Sequence, residues 1–319
     1  MTLRRAIAVA QCGVGCALWM MIACSRREEQ ERTPARGFSS SAPTVVVPPP
    51  QLLHLPDADD LLPPTIGDGL LPGAPRLLTG RCPPEMVDVG GQFCIDRFEV
   101  TLVDSASGRE LSPYFHPTRT QVLASLSRYR RLPGSSSAPP LPEPPAFTLE
   151  EDFSARARSL PSAVPQGYLS GDAADRACRA AGKRLCSRPE WVLACRGQQQ
   201  TKFPYGEQFD EGACNVFREA HPAAVLHGDA SREHRDPRLN RVHGPSGALL
   251  RLTGASGQCR STWGVDGAFD MVGNLDEWVS DGSFLGGFYA RATREGCEAR
   301  IASHAFEYFD YSLGARCCL

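Results

Sequence analysis

The distribution of cysteine constrains this chain more than any other feature of its sequence. Of thirteen cysteines, ten lie beyond residue 80: Cys82, Cys94, Cys178, Cys186, Cys195, Cys214, Cys259, Cys297, Cys317 and Cys318. An even set in a loop-rich region, if that region is exported, reads as a disulfide framework. The spacing 178–186–195 does not match the paired short spacings of a zinc site, so five disulfides are expected in preference to a cysteine–metal centre. Bridges that close long loops stabilise a domain by about 2–4 kcal/mol each, which allows a fold with little helix or sheet.

The N-terminus supplies the export. Arg4 and Arg5 precede an apolar run over 6–23 that ends at Cys24, the order of a secretory signal. Met21-Ile22-Ala23-Cys24 resembles a bacterial lipobox, which makes 1–23 a lipoprotein signal peptide and Cys24 the lipidated residue. The run is also nearly long enough for an uncleaved membrane anchor. In both cases the rest of the chain lies outside the cytoplasm, in the periplasm or at the cell surface. Ser25 after the cysteine suits sorting to an outer membrane, if the cell has one. Cys12 and Cys16 leave with the signal.

Residues 24–80 are rich in Pro, Ser and charge, with Pro48-Pro49-Pro50 and Pro63-Pro64, and no apolar period runs through them. They read as a disordered, extended tether. A similar Pro-rich stretch at 132–145 reads as a surface-loop insertion in the folded region, 81–319. At 319 residues the chain holds one large domain with appendages or two small ones. The 34 basic and 36 acidic residues leave a formal charge of −2, so no basic excess exists for nucleic acid. With 22% charged and 8% aromatic residues, a multi-pass membrane protein is excluded.

Within the domain, 93–101 has the alternating, β-branched character of a strand. Ser170 is placed to cap a helix that Gly182 closes. Ser187 and Glu190 have capping-box spacing at the start of a second helix that stops at Gly197. Beyond Gly197 the chain is rich in Gly, Asp, Asn and His, which points to an irregular α+β fold dominated by loops.

Several segments then carry a family resemblance in fixed order. Phe93-Cys94-Ile95-Asp96-Arg97-Phe98-Glu99-Val100-Thr101 is followed by 173–197, with Ala181-Gly182-Lys183-Arg184-Leu185 and Glu190-Trp191. Phe203-Pro204-Tyr205-Gly206 and Cys214-Asn215 come next, and then the most specific run, Asp266-Gly267-Ala268-Phe269-Asp270-Met271-Val272-Gly273-Asn274-Leu275-Asp276-Glu277-Trp278. Gly286-Gly287 and Gly314-Ala315-Arg316-Cys317 complete the order. The region resembles the formylglycine-generating enzyme, or sulfatase-modifying factor, family. The resemblance implies a disulfide-rich, C-type-lectin-related α+β fold with low regular secondary-structure content. It pairs Cys195 with Cys297 and Cys178 with Cys317. Cys82–Cys94, Cys214–Cys259 and Cys186–Cys318 are conjecture at this level.

The resemblance also implies structural calcium, a hard cation suited to loop oxygens. Glu277 with the backbone of Gly273, Asn274 and Leu275 matches one family site. Asn215 and the carbonyl of Val216 match part of a second, for whose carboxylate Asp229 is a weak candidate. The plainer reading is that Asn215 and Glu277 brace loops. Family enzymes that form formylglycine bind copper(I) through two cysteines between the Gly-Gly segment and the cysteine matched by Cys297. Here 286–296 has no cysteine and looks shortened, so copper and formylglycine generation are not expected.

His304, Glu307 and Asp310 lie three apart, so a helix would align them as a weak candidate for a catalytic or hard-metal set. The alternative is a solvated polar face beside Phe306, Tyr308, Phe309 and Tyr311. His221, His227, His234 and His243 fit no metal spacing and read as part of a solvated loop. Two functions follow from these readings. One is an envelope-anchored, monomeric binding or scaffold module whose groove takes a peptide or protein, and the other is a metal-dependent oxidoreductase with a non-cysteine site.

Overall fold

The last seven residues are built into both of the larger sheets. In a computed structural model of the chain, the described residues are 82–319 apart from positions 133, 137, 219 and 292. The signal peptide, the lipidated Cys24 and the tether lie outside them. Cys317–Cys318 pairs antiparallel with Phe93–Asp96 on one side and Arg184–Leu185 on the other, and Met86–Val89 completes this first sheet. Leu313–Ala315 pairs in parallel with Asp276–Trp278, and Phe284–Leu285 and Arg300–Ile301 extend this second sheet. Only Arg316 separates the strand of one sheet from the strand of the other.

The first strand expected, 93–101, is two. Phe93–Asp96 belongs to the first sheet, and Val100–Asp104 pairs instead with Ala155–Ser159. The break at 97–99 has a polar cause: Arg97 leaves the ladder to pair with Asp266, and Glu99 turns inward, where it is fully buried. A β-branched run does not record that two of its side chains have distant partners.

Helix α1, Arg119–Tyr129, lies outside the sequence assignments, although Val122, Leu126 and Tyr129 keep the i, i+4, i+7 spacing of a buried face. Helix α2 is the short Phe147–Glu150. Helix α3, Gly171–Ala180, starts where expected: the Ser170 hydroxyl accepts from Ala173 N at 3.3 Å. Helix α4, Arg188–Arg196, carries the capping box of Ser187 and Glu190. Gly182 and Gly197 close these two helices at φ of +72° and +64°, values that favour glycine.

The stretch 218–240 is not a solvated loop. Helix α5, Pro222–His227, sends Leu226 into a core with Leu239, Tyr168, Tyr289 and Tyr311. Asp236 is fully buried beneath it, held by the Arg238 guanidinium at 2.7 Å. Its backbone oxygen accepts from Tyr168 Oη at 2.5 Å. Ion pairing lets a polar sequence go inside. The Pro-rich insertion is likewise pinned: Arg238 Nη2 donates to Leu132 O at 3.1 Å and Arg241 Nη1 to Pro140 O at 2.6 Å.

Five disulfides are formed, Cys82–Cys94, Cys178–Cys317, Cys186–Cys318, Cys195–Cys297 and Cys214–Cys259, and all but the first lie within the two largest cores. The adjacent Cys317 and Cys318 point to opposite faces of their strand, as neighbours on a strand do. One therefore reaches helix α3 and the other the start of α4, so the C-terminus is bonded to two layers at once.

Candidate functional site

Around Arg316 the domain buries an unusual density of charge. Arg316 is 0% exposed. It donates from Nε to Glu277 Oε2 at 3.1 Å and from Nη2 to Glu277 Oε1 at 2.9 Å. Its Nη1 also donates to the backbone oxygen of Asp96, at 2.8 Å, and its Nη2 to that of Phe269, at 2.7 Å. Trp191 Nε1 donates to Glu277 Oε2 at 2.6 Å. A forked guanidinium is suited to this, because its donors lie in one plane and a carboxylate accepts two of them side by side.

Two further acids sit nearby, within the field of Arg316. Glu99 accepts from Asn274 Nδ2 at 2.7 Å and from Leu275 N at 3.1 Å. Burial, with the charges of Asp270 and Glu277, pushes its pKa well up. Asp270 accepts from Gly254 N at 2.6 Å, and its pKa is pushed up to about 6, chiefly by burial. This network braces the Met271–Glu277 loop against the first strand pair. It does not open a metal cage: among the described residues no three His, Cys, Asp or Glu side chains are arranged to hold a metal ion.

The donors named for calcium divide under this geometry. At Glu277 the set does not fit a cation, because both carboxylate oxygens are already taken by Arg316 and Trp191 and a guanidinium occupies the place of the positive charge. Asn274 is also committed, its Oδ1 accepting from Asn215 Nδ2 at 2.9 Å and from Arg251 N at 3.0 Å. The carbonyls of Gly273 and Leu275 lose their carboxylate partner with Glu277. Asn215 is different. Its Nδ2 has two acceptors, Leu249 O at 2.9 Å and Asn274 Oδ1, so its amide orientation is fixed. Its Oδ1 is then buried with no donor. That oxygen, with the Val216 carbonyl, suits a hard cation. Asp229 accepts from its own neighbour Ser231 on the surface and supplies no observed link to it.

The segment after Gly286-Gly287 holds arginine and threonine and, up to Gly296, no cysteine. Arg291 turns back to Asp276 at 2.5 Å, Thr293 is buried, and Arg294 lies over the rings of Phe209 and Phe217 at 5.0 and 5.6 Å. Asp276, buried beneath Arg291, has its pKa pushed up to about 7, with burial outweighing the guanidinium.

His304, Glu307 and Asp310 do not share a face, because 302–312 is not helical. His304 is exposed and stacks between Phe284 and Tyr308, at ring distances of 5.7 and 4.1 Å. Glu307 faces solvent. Asp310 is buried and accepts from Ser312 N and Oγ and from Tyr308 Oη. The aromatic neighbours set the backbone here, and helical spacing is lost. Of the other histidines, His227 lies 3.0 Å from Asp236 and His221 3.0 Å from Tyr311 Oη, while His243 is exposed.

A family model described as sulfatase-modifying factor enzyme 1-like domain matches residues 67–302. The chain belongs to that family. The match starts ahead of residue 81 and stops before the strands Leu313–Ala315 and Cys317–Cys318 that flank Arg316. Among solved structures, PvdO from Pseudomonas aeruginosa is similar over 71% of this chain and 79% of its own, at 14% identity and a TM-score of 0.33. CarF is similar over 71% of this chain and 85% of its own, at 14% identity and a TM-score of 0.34. A comparison with curated proteins gave no match. Within this sulfatase-modifying-factor domain, the sequence reading missed the roles of Glu99 and Asp270. Their signal was an acidic residue set between two apolar ones, Phe98 and Val100 for Glu99 and Phe269 and Met271 for Asp270.

Proposed function

We propose that this sulfatase-modifying-factor domain works as a disulfide-locked binding module and not as a cysteine oxidase. One observation supports the reading: each of the ten cysteines from Cys82 onward is in a disulfide. Copper(I) needs soft thiolate ligands, and a cystine offers none. Opening a bridge to supply two would release the segments it ties together, so catalysis by that route would act against the fold. Export with a lipid anchor at Cys24 belongs to the same proposal, since five bridges form and persist in oxidising compartments. Calcium is proposed for the loop of Asn215 and Val216 alone.

The test is alkylation of the oxidised full-length chain under denaturing conditions, with peptide mapping and copper analysis. The same preparation is incubated with oxygen, copper and a cysteine-containing sulfatase peptide. The expected result is no alkylated cysteine from Cys82 onward and no conversion of the peptide cysteine to an aldehyde. A labelled pair of domain cysteines, or aldehyde formation, would overturn the reading.

A further inference from the structure

A groove of about 550 Å³ opens beside the first described residues. Pro83, Pro84, Met86, Trp263 and Val265 give it apolar walls. A tight turn forms one side: Trp263 N donates to Asp266 O at 2.9 Å, and Asp266 N to Trp263 O at 3.0 Å. The turn holds Val265 at its tip, 81% exposed. Trp263 is fixed behind it, because its Nε1 donates to Ala194 O at 3.0 Å. The charged groups at the rim have partners within the domain. Arg97 pairs with Asp266 and donates from Nη2 to Met86 O at 3.2 Å, and Asp88 accepts from Gly91 N at 2.6 Å. Apolar contact therefore selects the occupant, as at other exposed apolar patches framed by polar groups.

The described chain begins in the wall of this groove. Cys82 lines it and is bonded to Cys94, so the segment ahead of Cys82 leaves from a fixed point. That segment reads Leu70-Leu71-Pro72-Gly73-Ala74-Pro75-Arg76-Leu77-Leu78, four leucines and two prolines with a single charge. It falls inside the family match, which starts at residue 67 and not at the first cysteine of the domain. Leu78 stands four positions before Cys82 and Leu71 eleven, which gives them reaches of at most about 14 and 40 Å. A segment tied this closely meets its site at an effective concentration on the order of mM. Its prolines are already restricted in backbone angle, so ordering them costs little, and grooves walled by aromatic side chains take proline-rich segments for that reason.

We infer that residues 70–78 of this chain fold back into the groove and cover Trp263 and Val265. The leucines supply the apolar contact, and Pro72 and Pro75 hold the segment extended. The last part of the expected tether is thus a piece of the domain. The inference goes beyond the binding-module reading and does not depend on it: peptide oxidation would overturn that reading and leave this groove and its occupant as they are.

The test is limited trypsin digestion of the oxidised full-length chain, with the fragments timed by mass spectrometry. Arg36 and Arg76 both precede the described residues, and trypsin cuts after each. Cleavage after Arg76 is expected to be at least about tenfold slower than after Arg36, since proteolysis follows the population of the open form. Val265→Asp puts a charge on an exposed tip that the fold does not need buried, and should speed cleavage after Arg76 about tenfold. Leu71→Asp, five positions ahead of the bond that is cut, should do the same from the other side of the contact. The rate after Arg36 should not change in either variant. Equal rates after Arg36 and Arg76 in the unaltered chain would overturn the inference, as would undiminished protection in Val265→Asp or in Leu71→Asp. Protection that rises with protein concentration would also overturn it, and would give the groove to a second copy of the chain.

Discussion

Arg316 and Glu277 form a two-pronged ion pair at 2.9 and 3.1 Å with both side chains shut away from water. Gly314 and Glu277 are register partners in the parallel pairing of Leu313–Ala315 with Asp276–Trp278, so Arg316 lies just beyond the pairing that it locks. It also touches Asp96 of the first sheet. One side chain thus bonds the two sheets and the loop at Phe269.

Removing one partner of this pair should be far worse than removing both. Arg316→Met leaves a buried carboxylate and should reduce unfolding free energy by about 3–5 kcal/mol, measured by guanidinium denaturation. The double change Arg316→Met with Glu277→Leu should recover a large part of that loss. A single variant within 1 kcal/mol of the unaltered protein would show that the pair carries no stability.

The bridges should rank by the loops they close. Cys178–Cys317 spans 139 positions and Cys82–Cys94 only 12. Restriction of the unfolded chain grows with loop length, so the paired change of Cys178 and Cys317 to Ser should cost more, within the usual range of about 2–5 kcal/mol. Thermal unfolding of the two double variants, compared at one pH, reads the order. Equal losses would point to native packing instead of chain entropy.

His116 should make the domain sensitive to mild acid. It is 7% exposed, and its ring nitrogens lie 3.2 Å from Thr118 Oγ1 and Ser170 Oγ. Burial, with smaller contributions from Arg176 and Arg235, lowers its pKa to about 4. The unfolded chain therefore takes up a proton near pH 6.5 while the folded one stays neutral. The contribution is complete above pH 6.5 and is lost as pH falls toward 4, amounting to at most about 3 kcal/mol. The unaltered protein should lose more stability than His116→Gln between pH 7 and 4. Parallel pH profiles would refute this.

Calcium should act through Asn215 and not through Glu277. Millimolar calcium should raise the midpoint of thermal unfolding relative to chelator, because a ligand bound only to the folded state stabilises it by mass action. Asn215→Leu should remove that difference. Midpoints that coincide with and without chelator would remove calcium from this protein.

Helices α3 and α4 were legible in the sequence because their signals are local. A serine cap, a glutamate three residues on and a closing glycine act within one turn of backbone. The break in 93–101 was not legible, since Arg97 and Glu99 leave the strand for Asp266 and Asn274, both remote in sequence. For the same reason His304, Glu307 and Asp310 fit a helical spacing while aromatic packing from Phe284 and Tyr308 dictated another backbone.

By itself the sequence determined the family through ordered motifs, and the lack of a thiol pair in 286–296. It implied two cysteine pairs, Cys178–Cys317 and Cys195–Cys297, by position in the family, while the other three pairs were conjecture. Only the tertiary structure decided where charge is balanced. It gave Glu277 to Arg316 and buried Asp236 under α5 beside Arg238. The physical reason is range: caps and turns are settled among neighbours, whereas the cost of burying a charge depends on which distant group meets it.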